Sequence, residues 1–289
     1  SIDALQIFSQ SQGEPDEIVL FGTSDGGLVA TLMLERYPQI FRGGIGLCGP
    51  YGSFTGQVDY FGDFRVLFDY FFPEVEIPNT PIDIALEIIA NWETFYGEEI
   101  EPVVTNPANA DRVAQLLATA GAAFDPNDVA ASSESTINRL LWYNVFATND
   151  SISKFGGQPF DNVGRVYSGS ADDTALNDGV ARYAADPAVR TLMASDYEST
   201  GFLRVPFLTM HAVLDPTVPY FQAEIYATKV ADAGSSAFYE HIQVPDVYGH
   251  CNFSQANLLA AFQAFNAMLE AIPPFDAPRT YLPLVATAE

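Results

Sequence analysis

The sequence predicts an α/β architecture, a parallel sheet with crossover helices interrupted by a long helical insertion, and three observations carry it. The first 50 residues read helix, strand, turn, helix, strand. Strand grammar then stops and returns only at about residue 201. A Gly-x-Ser-x-Gly pattern lies between the first strand and the helix after it. Short apolar strands separated by helices indicate parallel pairing, because parallel neighbours need a crossover between them.

Ile2, Leu5, Ile7 and Phe8 have helical spacing, and the polar stretch 9–16 stops that helix. Residues 18–21 read as a short, fully buried strand, 22–27 as a tight turn, and 28–37 as a helix closed by Pro38. A second buried strand is expected at 44–47. Tyr60, Phe61, Phe64, Leu67, Phe68, Phe71 and Phe72 then crowd one stretch, and helices are expected over 81–96, 109–120 and 133–147. Strands return at 205–211 and 239–244, with helices over 221–233 and 254–272 and a loosely packed tail over 273–289. The expected division is a core of residues 1–50 and 201–289, with 51–200 as a helical cap.

With 48% hydrophobic residues in 289, the chain can bury a full core. Twelve basic against 37 acidic residues, a formal net charge of -25, argue against nucleic acid or an anionic membrane as partner. Lys154 and Lys229 are the only lysines, and a carboxylate-rich surface with so little Lys resembles that of proteins from saline environments. Solubility explains the same charge.

Gly22-x-Ser24-x-Gly26 between a strand and a helix places a Ser on a sharp, strained reversal, with its hydroxyl exposed and a helix N-terminus behind it. Such a hydroxyl needs a base. His211 ends a strand and is expected to pack locally; His241 falls inside a strand and is expected at the surface; His250, in a Gly-His loop before a helix, is the best base. Asp215, just after a strand and flanked by Pro216 and Pro219, is the expected carboxylate partner. The three His show no ligand spacing with Cys or acidic residues, so no metal site is expected.

The segments FGTSDGG, HAVLDPTVP and YGHCNFS resemble the nucleophile elbow, acid turn and His loop of the α/β-hydrolase superfamily, particularly bacterial secreted esterase-like members. DYFGDFRVLFDYFFP is similar to the start of the cap in that group. The resemblance covers residues 1–50 and 201–272 and implies ester hydrolysis without a cofactor, by Ser24, His250 and Asp215, with the Asp25 backbone N–H in the oxyanion hole. It also implies an α/β-hydrolase fold lacking its N-terminal strands, since only about 20 residues precede Ser24, and hence a further N-terminal region of the same protein. Tyr51, Tyr60, Phe61 and Phe64 are candidate substrate contacts, although an aromatic stripe is more often core packing. Cys48 and Cys251 would lie on one rim of the sheet, either as a bridge pinning the His loop in a secreted or periplasmic protein or as two buried thiols. A serine peptidase of the same fold and a non-catalytic binding protein are the alternatives.

Overall fold

The computed structural model describes residues 2–275; the rest of the expected tail, 276–289, lies outside the described residues. The chain opens with α1 (Ile2–Gln12), β1 (Val19–Thr23), α2 (Asp25–Arg36) and β2 (Gly43–Leu47). Next come α3 (Phe54–Phe71), β3 (Asn79–Thr80), β4 (Asp83–Ile84), α4 (Leu86–Phe95), α5 (Glu101–Val104), α6 (Ala110–Ala120), α7 (Val129–Phe155), α8 (Asp173–Gly179) and α9 (Pro187–Asp196). The chain continues with β5 (Phe207–Leu214), α10 (Phe221–Asp232), β6 (Tyr239–Tyr248) and α11 (Gln255–Ala271). Among the described residues no helix is long and apolar enough to cross a membrane.

β1, β2, β5 and β6 form one parallel sheet in that order. The side-chain period of two divides β5 between two cores. Phe207 packs with Tyr51, Leu34 and Tyr226 on one face, while Leu208 and Met210 pack with Ala261, Phe265 and Met268 of α11 on the other. β2 is buried throughout, as expected, but β1 is not. Val19 and Phe21 are half exposed, because β1 pairs only with β2 among the described residues and Phe21 has only Phe262 of α11 stacked on it, at 5.5 Å.

The residues between β2 and β5 have a core of their own, built from α3, α4, α6 and α7 around Phe64, Phe68, Trp92, Leu116 and Leu140. Two elements depart from expectation. Residues 81–96 are not one helix: Pro81 sits in the turn of the small antiparallel pair β3–β4, and α4 begins only at Leu86. α7 runs well past residue 147, since nothing breaks it until Gly156 supplies a left-handed C-cap at φ 76°.

Several side chains join this insertion to the sheet, three of them next to the loops after β5 and β6. Tyr60 Oη donates to Pro216 O at 2.8 Å, Gln57 Nε2 donates to Thr217 O at 2.8 Å, and Tyr248 Oη donates to Ser132 O at 2.9 Å. They hold α3 and α7 against the ends of β5 and β6.

Within the insertion, Asp59 and Asp63 of α3 hold the 159–190 segment through a largely buried network. Arg165 bridges the two carboxylates, Arg190 binds Asp59, and Tyr167 Oη donates to Asp63 at 2.6 Å. Burial is the largest influence on Asp63 and pushes its pKa from 3.8 to about 6, against the pull of Tyr167 and Arg165. The folded protein therefore binds this proton more tightly than the unfolded chain, and the associated stability is present below 3.8 and lost as pH rises through about 6. The stability difference between wild type and Asp63→Asn, followed by thermal denaturation across pH, should shift against the wild type over that window and be level above it. A difference independent of pH would contradict this account.

Candidate active site

The turn at Ser24 follows from glycine geometry. Ser24 sits between β1 and α2 at φ 54° and ψ -127°, a conformation costing on the order of 1–3 kcal/mol for a residue with a Cβ. Two hydrogen bonds fix it: Ser24 N–H donates to Leu47 O at 2.9 Å, and Gly27 N–H donates to Ser24 O at 2.8 Å. The reversal is so tight that a Cβ on Gly22 would meet Gly26 O at 1.9 Å, whereas a Cβ on Gly26 would meet nothing within 4 Å. Of the two flanking glycines, only the first is sterically required. Asp25 is the first residue of α2, so its N–H has no intrahelical acceptor and lies at the positive end of the helix.

Asp215 follows β5 directly and is 1% exposed. Its Oδ1 accepts from Thr217 N–H at 2.9 Å and Val218 N–H at 3.0 Å, which leaves Oδ2 to accept from His250 Nδ1 at 2.8 Å. His250 Nε2 then lies 2.8 Å from Ser24 Oγ. With Nδ1–H donating to Asp215, Nε2 carries a lone pair that can accept a hydrogen bond from the Ser24 hydroxyl. The β5–β6 ladder shifts register between Ala212 and Leu214, and Leu214 pairs with Tyr248, so the acid turn and the His loop leave the sheet side by side. Ser24, Asp215 and His250 are thus brought together from three loops at one end of the sheet.

Cys48 and Cys251 form a disulfide across 203 positions, with Cα atoms 5.4 Å apart. Both have positive φ, 47° and 53°. The bridge ties the residue after His250 to the end of β2, the strand whose Leu47 O holds Ser24.

The other two histidines have partners of their own. His211 is fully buried, donates from Nε2 to Val218 O at 2.8 Å and accepts at Nδ1 from Tyr51 Oη at 3.1 Å; burial lowers its pKa. His241 is not the surface residue that its strand position predicts. Its ring lies between Thr209 Oγ1 at 2.8 Å and Tyr220 Oη at 3.1 Å, and burial lowers its pKa to about 4.

A cavity of about 200 Å³ lies beside the turn, with Asp25 in its wall. Phe61 lines it, stacked on Tyr143 of α7 with ring centroids 4.7 Å apart and planes within 2°. The other three candidate contacts do not line this cavity. Tyr51 is fully buried against His211 and Tyr226, Tyr60 is buried with its hydroxyl on Pro216 O, and Phe64 is fully buried in the insertion core. Sequence reasoning missed Tyr143, Ile82 and Phe160, which reach the cavity from three distant segments. Helical spacing marks the apolar face of α7 but not which of its residues meet α3.

The two glycines of the elbow give a direct test. Gly22→Ala should abolish reactivity of Ser24 toward a fluorophosphonate and lower Tm, while Gly26→Ala should keep both. Equal behaviour of the two variants would contradict the geometry.

No protein-family model matches the chain, and no curated protein matches it. Among solved structures it is similar to an acetylester hydrolase from Corynebacterium glutamicum, with 13% identity and a TM-score of 0.39 over 92% of this chain and 64% of that one. It is also similar to a thermophilic esterase from Thermogutta terrifontis, with 14% identity and a TM-score of 0.36 over 93% of this chain and 70% of that one. A Pyrococcus horikoshii acylaminoacyl peptidase matches with 11% identity and a TM-score of 0.35 over 92% of this chain, which spans 25% of the peptidase. Similarity at that level assigns no activity. The parallel order β1-β2-β5-β6, the strained Ser between β1 and α2, and Asp and His on the loops after β5 and β6 identify the α/β-hydrolase fold.

Proposed function

We propose that the protein is a serine hydrolase that cleaves carboxylic esters through an acyl-enzyme. One observation carries the reading: Ser24 Oγ, His250 and Asp215 are linked by two hydrogen bonds of 2.8 Å in the sense that proton transfer requires. Ser24 Oγ attacks the ester carbonyl as its proton passes to His250 Nε2. The imidazolium so formed is stabilised by Asp215, which the Thr217 and Val218 N–H groups hold in place. The Asp25 N–H faces the developing oxyanion. His250 then returns the proton to the leaving alcohol, and water repeats the sequence on the acyl group.

The cavity favours an ester with an apolar acyl or aromatic group. Two of its polar side chains are already engaged: Gln57 Nε2 donates to Thr217 O, Asn144 Nδ2 donates to Pro81 O, and Asn144 Oδ1 accepts from Arg65. What remains for a ligand is mainly Phe54, Val58, Phe61, Ile82, Tyr143 and Phe160. A peptidase that grips a charged peptide N-terminus needs acidic groups in that wall, and Asp25 is the one acidic residue there. The disulfide supports a secreted or periplasmic location, where such bonds persist.

Short p-nitrophenyl esters should be hydrolysed and aminoacyl amides should not. Ser24→Ala should lose roughly 10⁶-fold in kcat and Asp215→Asn roughly 10⁴-fold. Turnover of aminoacyl amides in preference to esters would replace the esterase reading with the peptidase one. Ester turnover that survives Ser24→Ala would remove both.

A further inference from the structure

Spacing along the chain predicts no metal ligands, yet the fold assembles a set of three. Cys48 Sγ, Cys251 Sγ and a ring nitrogen of His250 all lie within 4.8 Å of one another, with Cys251 Sγ 3.5 Å from Nε2. While the disulfide is closed, the sulfurs bond each other and hold nothing else. Opening it changes the chemistry. A tetrahedral zinc site, with Zn–S of about 2.3 Å and Zn–N of about 2.0 Å, spaces S from N by about 3.5 Å and S from S by about 3.8 Å. The first spacing is already present, and the second is close to the contact distance of two unbonded sulfurs.

His250 is prepared for the same role. Its Nδ1–H donates to Asp215, so Nε2 presents a lone pair, which is the carboxylate–His–metal arrangement that fixes ring orientation and raises ligand basicity. We infer that reduction of the Cys48–Cys251 disulfide by a dithiol creates a soft divalent-cation site, of the Zn²⁺ class, on Cys48, Cys251 and His250. Occupation of that site takes Nε2 from Ser24 and switches the hydrolase off. The site itself is independent of the ester reading; only the loss of activity rests on it.

The steps balance. A dithiol thiolate attacks Sγ of Cys251, the half-buried partner, and expels Cys48 as a thiolate that takes up a proton. The second dithiol sulfur closes into a cyclic disulfide and releases Cys251, completing a two-electron reduction. The metal then displaces one proton from each thiol. Nε2 gives up no proton, and Ser24 keeps its own. Three protein ligands leave the fourth tetrahedral position to water.

The test is an anaerobic Co²⁺ titration of the dithiol-reduced protein, read by thiolate charge-transfer and tetrahedral ligand-field bands. Near-UV circular dichroism checks that the fold persists. A net charge of -25 attracts divalent cations non-specifically, so the oxidised protein and a Cys48→Ser, Cys251→Ser double variant set the baseline. The expected result is one thiolate-bound Co²⁺ per chain, with affinity reduced at least about tenfold in His250→Ala and about tenfold in Asp215→Asn. Fluorophosphonate labelling of Ser24 should fall on metal loading and return with a chelator. Absence of thiolate bands, bands unchanged in His250→Ala, or loss of the native near-UV signal on reduction would overturn the site. Undiminished labelling of the metal-loaded protein would overturn the switch. An oxidised protein that never labels would sink the ester reading while leaving the Co²⁺ titration to judge the site.

Discussion

The backbone at Ser24 is the constraint on which the rest of the site depends. A non-glycine residue at φ 54° is held only where its surroundings over-determine it, and here they do. The absence of a side chain on Gly22 admits Gly26 O, Leu47 O takes the Ser24 N–H, and Ser24 O takes the Gly27 N–H. Gly27 in turn lets α2 lie close to Gly49, where a Cβ would be only 3.1 Å from the Gly49 Cα. The turn therefore aims Oγ at His250 and the start of α2 at the same point, and a relaxed turn would lose both.

The other two members are placed by devices of a different kind. Asp215 is fixed by its own turn, whose two N–H groups occupy one carboxylate oxygen and leave the other for the imidazole. His250 is fixed from two sides, by Asp215 at Nδ1 and by the disulfide of the residue after it to the end of β2. The insertion depends on the same loops. Tyr60 and Gln57 reach from α3 to the carbonyls of Pro216 and Thr217, so the helix that carries Phe61 into the cavity is bonded to the acid turn. A movement of α3 large enough to reshape the cavity would pull on the segment that orients His250.

How far this could be read from the residues depended on how local each signal was. The elbow was legible because five consecutive positions impose it, and Asp215 and His250 because each follows a strand end. The disulfide was legible only as one of two alternatives, since two cysteines on one rim pair or stay reduced according to distances that no spacing reveals. The exposure of Phe21 depends on whether a strand has neighbours on both sides, and the half-buried ring of His241 on Thr209 and Tyr220 from other segments. Least legible was the cavity. Its walls come from α3, the β3–β4 turn, α7 and the 158–160 segment, so the aromatic residues between Tyr51 and Phe64 pointed to Phe61 together with three that are buried elsewhere.

The most direct measurement is a crystal structure of the protein after reaction with a small phosphonate ester that mimics the tetrahedral intermediate. The account predicts phosphorus bonded to Ser24 Oγ, the phosphoryl oxygen within hydrogen-bond reach of the Asp25 N–H, and the organic group in the cavity lined by Phe61 and Tyr143. A phosphorus atom bonded elsewhere, or a phosphoryl oxygen turned away from α2, would contradict it.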